Sequence, residues 1–173
     1  MEFTIEKALE VLERTPLVLD TYLSELSDVW VENNEGENTW SPYDVVGHLI
    51  HGEKTDWMER AAIILSDSDD KTFVPFDRFA QMEEGPKKSL QILLGEFRAL
   101  RAANVKQLKE LSLSENDLSK TGIHPELGSA TLKELLSAWV VHDLGHIAQI
   151  SRVMAKQYTS EVGPWIAYLS ILK

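Results

Sequence analysis

Apolar residues recur along most of this chain at spacings of three, four and seven, the period of an α-helix, and alternating runs of strand type are absent. The first stripe is Ile5, Ala8, Leu12, Leu19, Leu23, Leu26 and Trp30. Thr15-Pro16 interrupts it. Proline is poor inside a helix but favourable at its first position after a threonine cap, so a short helix, a break and a second helix are predicted here. The next long helix is predicted from Trp40-Ser41-Pro42, with Ser41 as N-cap and Pro42 at the first position, to about Ser66. A third follows Pro86 and carries Leu90, Leu93, Leu94, Phe97, Leu100, Leu108 and Leu111 on one side. A fourth begins near Thr131, where Glu134 completes a capping box, and runs to about Tyr158. Gly163-Pro164 then restarts a short apolar tail, WIAYLSIL, suited to capping the bundle or to a dimer contact. Nothing reads as a sheet. The expectation is an all-α fold, a helical bundle in a single domain over residues 1–173 with a short C-terminal helix. The connections at about 67–85 and 112–130 are long for a bundle, and loops of that length often serve as lids.

The balance of residues narrows the function. The hydrophobic share of 43% and charged share of 26% are those of an ordinary globular protein. Apolar runs such as AAIIL at 61–65 are too short to cross a bilayer, and MEFTIEKALE has no signal-peptide pattern, so no membrane partner and a cytoplasmic location are expected. Seventeen basic residues against 28 acidic ones give a formal charge of −11 with no Lys/Arg cluster, which argues against nucleic acid as a partner. With no cysteine, disulfides, cysteine metal sites and a cysteine nucleophile are all excluded. A metal site must then be built from histidine and carboxylate.

The fourth helix carries the strongest chemical signal, His142-Asp143-Leu144-Gly145-His146. Residues four apart share a helix face, and both imidazoles fall in the stripe of Leu132, Leu135, Trp139, Ile150 and Val153. Buried imidazoles need partners. Either they are satisfied core histidines or they are ligands, and Gln149 and Asp143 are placed to orient them. A third ligand has four candidates: His48, His51 and Glu53 on the second helix and His124 in the long loop. The helical wheel favours His48 only modestly, with Gly52 one turn on leaving space for an ion or a close helix. The HDLGH run is also similar to the HExxH of zinc proteases, but Asp143 is one methylene shorter than glutamate and points into the packed stripe.

Taken together, WSPYDVVGHLIHGE (40–53) and WVVHDLGHIAQ (139–149) resemble the DinB/YfiT-like family of bacterial metal-dependent enzymes. The likeness extends to RTP at 14–16, PFDRF at 75–79, HPELG at 124–128 and VGPW at 162–165. The resemblance implies a four-helix bundle of up-down-down-up order, often dimeric, with zinc or nickel held by three histidines. Matched motif to motif, these are His48, His142 and His146. It further implies a low-molecular-weight thiol of the bacillithiol or mycothiol type as co-substrate of an S-transferase, acting on a small-molecule substrate. In that reading Arg78 and His124, in the two long loops, hold an anionic group. The alternatives are a hydrolase in which Asp143 or Glu53 takes a proton from a metal-activated water, and a non-enzymatic metal- or small-molecule-binding protein.

Overall fold

The structure, a computed structural model, describes residues 1–80 and 87–173. Its helices are α1 (Ile5–Leu12), α2 (Thr15–Leu23), α3 (Asp28–Glu32), α4 (Pro42–Thr55), α5 (Trp57–Leu65), α6 (Leu90–Glu110), α7 (Glu115–Leu118) and α8 (Leu132–Lys156). The caps fall where the sequence places them. Ser41 and Asp44 form a capping box ahead of Pro42, and Thr131 and Glu134 form another at α8. Ser89 caps α6, whereas Pro86 lies outside the described residues.

Three expectations need correction. The first stripe outlasts its helix: α2 ends at Leu23, and Leu26 and Trp30 pack on the core from a turn and from the short α3. The second helix is two, because Asp56 leaves helical geometry at φ −116°, ψ −79° and turns its carboxylate onto Arg60. A small antiparallel hairpin is present where no sheet was expected, β1 (Thr121–His124) with β2 (Gly128–Thr131). Its turn uses Gly128 at φ +81°, a conformation only glycine adopts cheaply. The expected short C-terminal helix is present beyond Val162 as two 3₁₀ turns, Gly163–Ala167 and Ser170–Leu172.

Contacts between helices fix their directions. Asp20 faces Arg98 and Ser24 faces Gln91, so α2 and α6 run antiparallel. The Tyr43 hydroxyl donates to the Lys88 carbonyl and Asn104 donates to Glu53, so α4 and α6 run parallel. His48 meets His142 and Glu53 meets Trp139, so α4 and α8 are antiparallel. The order is therefore up-down-down-up: α1–α2, α4–α5, α6, α8. Two consecutive parallel helices require the crossover after Leu65, and that segment is stitched to the hairpin through a bridge between Thr72 and Ile123.

The core has two apolar layers. Leu12, Ile64, Leu108 and Trp139 belong to one, and Leu19, Leu49, Phe97 and Ile150 to the other. Between them lies a charged layer built around Arg101, whose side chain is 1% exposed. Arg101 bonds Asp143 through both terminal nitrogens, at 2.6 and 3.0 Å, and Glu53 at 2.8 Å. It also donates to the Leu12 carbonyl at 3.0 Å. That carbonyl is free because Pro16, four residues on, has no N–H to give it. The helix break seen in the sequence thus supplies an acceptor to the centre of the bundle. Among the described residues, no helix is long and apolar enough to cross a membrane.

Candidate metal centre

Beside the charged layer, α4 and α8 bring three imidazoles together. His48 Nε2 lies 3.1 Å from His142 Nε2, which lies 3.0 Å from His146 Nε2. A cation with bonds of about 2.0–2.1 Å to tetrahedrally arranged imidazoles separates their nitrogens by roughly 3.3–3.4 Å. Both of these separations are therefore within a few tenths of an ångström of metal-binding geometry, and all three ligand atoms lie within 4.8 Å of one another. Three lone pairs converging on one point also repel unless a proton or a cation lies between them. The ligating atoms of these residues form a group compatible with one metal ion.

Burial sets the protonation state. It pulls His48 and His142 down to about 3, with the like charge of His146 the next contribution in each case. Burial also lowers His146, opposed by Gln149 and by the Asp143 charge. Neutral imidazoles are the form that binds metal. The His146 Nδ1 lies 2.8 Å from Gln149 Oε1, so Nδ1 carries the proton and Nε2 presents its lone pair inward. Aromatic rings enclose the cluster. Trp40 lies 4.6 Å from His48 between ring centroids, Phe76 lies 5.5 Å from it, and Trp57 lies 5.1 Å from His142. On the sides these rings cover, the lower local dielectric strengthens electrostatic interactions.

The space expected over Gly52 is filled, because a Cβ there would stand 3.4 Å from the Trp57 indole nitrogen. His51 lies against Phe76 and near Thr55, apart from the cluster. Glu53 and Asp143 are drawn into the charged layer instead. All four of their oxygens have partners: Arg101, Asn104 and Trp139 for Glu53, and Arg101 twice for Asp143. Burial pushes the Glu53 carboxyl up while Arg101 and Asn104 pull it down.

The histidines open onto a cavity of about 650 Å³. Arg78, from the crossover, and His124, at the end of β1, both line it, so the two long connections do converge on the cluster. Asp56 and Arg60 line it as well and were not singled out from the sequence. Both were legible as charges in the apolar stripe of the second helix. Arg101 was legible in the same way, one turn beyond Phe97 on the buried face of α6.

The family model of the DinB superfamily matches residues 11–150. Among solved structures, YfiT from Bacillus subtilis superposes with a TM-score of 0.74 at 19% identity, covering 90% of each chain. It is described as a probable metal-dependent hydrolase with an unusual four-helix bundle topology. TT2238, a four-helix bundle protein, superposes with a TM-score of 0.53 at 21% identity, covering 86% of this chain and 98% of its own. At these identities the likeness establishes the fold. No curated protein gives a significant match.

Proposed function

The chain belongs to the DinB superfamily, and from that premise we propose that it is a metal-dependent S-transferase for a low-molecular-weight thiol. His48, His142 and His146 would hold one zinc or nickel ion. A divalent cation there supplies a Lewis acid that lowers the pKa of a thiol or water entering its free position. The chain's own contributions are local. Gln149 fixes the tautomer of His146, the aromatic collar of Trp40, Phe76 and Trp57 limits water, and Arg78 and His124 bind an anionic group of the substrate.

One observation favours thiol chemistry over the rival hydrolase: Asp143 and Glu53, the two carboxylates the hydrolase reading would use as base, are held by Arg101 and its neighbours. Water activation usually needs a nearby base to take the proton, whereas a thiol already ionises readily near neutral pH. The description of YfiT as a hydrolase supports the second reading. We further place the protein in the cytoplasm, where such thiols stay reduced, as a homodimer with no membrane or nucleic-acid partner.

The experiment is direct. Zinc- or nickel-loaded protein is incubated with bacillithiol and a chloro-nitroaromatic; a C–S bond forms, chloride leaves and the thiol proton passes to solvent. Conjugate is expected above background, and it should vanish in His142→Ala/His146→Ala, which should also lose its metal by elemental mass spectrometry. Stoichiometric metal without conjugate, but with hydrolysis of an activated ester, would establish the rival.

A further inference from the structure

The cavity that receives the histidines holds a second prepared group, Arg60. Its side chain is only 10% exposed and its guanidinium carbon lies 5.2 Å from the centre of the Phe73 ring. Asp56, one turn earlier, flanks one edge as an ion pair, its Oδ1 2.6 Å from Nε without hydrogen-bond geometry. That is the closest approach of the pair, and among the described residues neither terminal nitrogen of Arg60 has a hydrogen bond. A salt bridge serving only to hold α5 would engage the fork of the guanidinium, the stronger bidentate arrangement. Here the fork is stacked, anchored at the side and open to the cavity that Arg60 lines. A planar fork fixed in place and reachable from the cavity is matched to a ligand with two coplanar acceptors.

The other walls refine the ligand. His124 Nδ1 accepts from the backbone N–H groups of Glu126 and Leu127 at 3.1 and 3.2 Å. Its proton is therefore on Nε2, and the ring offers the cavity a donor. Arg78 adds a second cation, while Asp56 and Glu126 add two acidic groups. Leaving the metal aside, these wall charges balance, so a single negative charge on the ligand finds its partner in the Arg60 fork and a second finds none of its own.

We propose that Arg60 is a carboxylate receptor, so that the small molecule admitted to this cavity carries a carboxylate for the Arg60 fork and a second group directed at the three histidines. The second half of this statement rests on the metal-site reading; the first does not. Arg60 on α5 and His48 on α4 stand on either side of the break at Asp56 and line the same cavity. The molecule accordingly reaches across that cavity from the fork to the histidines.

The test compares hexanoate with the isosteric neutral hexanamide by ligand-observed NMR, in metal-free and cobalt-loaded protein. Hexanoate should bind at least about tenfold more tightly in both, the size of one charge-assisted pair. Arg60→Gln should bring the two to parity. Arg60→Lys, which keeps the charge but loses the fork, should remove most of the preference. Asp56→Asn/Arg60→Gln removes both charges of the pair and guards against a folding defect, and it too should show parity. No preference in the wild type, or one that survives all three substitutions, overturns the proposal. A separate arm adds 6-mercaptohexanoate and 6-mercaptohexanol to the cobalt protein and reads the thiolate charge-transfer band. A band at equal concentrations of both thiols would overturn the role of Arg60 and leave thiol binding standing. An Arg60-dependent hexanoate preference with no band for either thiol would uphold the receptor and overturn the thiol reading.

Discussion

At the scale of single residues, the site depends on groups that never touch a substrate. Gln149 accepts from His146 Nδ1 and so aims the opposite nitrogen at the cluster. Gln149→Leu keeps the shape and removes the acceptor, and metal affinity should fall about 10–100-fold, measured by competition with a chromogenic chelator. An unchanged affinity would mean that packing alone orients the ring. Arg101 is the second such group. Arg101→Met leaves Glu53 and Asp143 buried without their cation, and the protein should lose about 3–5 kcal/mol, read from urea denaturation. A loss below 1 kcal/mol would show that the layer is hydrated rather than dry. The sequence disclosed these residues unevenly. The two histidines of α8 share a face within one turn, so their pairing is local and legible. The partners of Arg101 are 48 and 42 residues away on other helices, and no local pattern encodes which carboxylate a buried arginine meets.

At the scale of elements, helices were legible because their caps and stripes are local, and the hairpin was not because its strands have only four residues each. Four residues are too few to establish alternation against the background of a helical chain. The available signals were Thr121, Ile123 and Thr131 flanking the Pro-Glu-Leu-Gly turn. The break at Asp56 was hidden for a related reason, since apolar residues continue at helical spacing on both sides of it. The hairpin is anchored at Gly122, where an added Cβ would approach Ile64 within 2.9 Å and overlap the Phe73 ring. Gly122→Ala should therefore cost about 1–3 kcal/mol by overpacking. Because His124 and the Thr72 bridge share this strand, hydrogen exchange should accelerate across 121–131 before it does in α8. Uniform acceleration would instead make the hairpin and the bundle one cooperative unit.

At the scale of the molecule, the bundle is two apolar layers with charge between them, and it leaves apolar surface outside. Val141 on α8 is 67% exposed, and in the tail Trp165 and Tyr168 are 68% and 88% exposed. The second 3₁₀ turn of the tail, Ser170–Leu172, lies against α8. Isolated exposed hydrophobics are ordinary, whereas two large exposed aromatics three residues apart in a tail docked on α8 have the composition of an interface core. The formal charge of −11 per chain opposes self-association over a distance that salt shortens. An interface held by apolar contact between two acidic chains should therefore tighten as salt rises, opposite to one held by ion pairs. Light scattering at micromolar concentration should give twice the 19.6 kDa chain mass, with dissociation on dilution occurring later in 0.5 M than in 0.05 M sodium chloride. Trp165→Glu/Tyr168→Glu should be monomeric at either salt. A dimer that weakens with salt, or one that persists in this variant, would move the interface away from the tail and onto the charged helix faces.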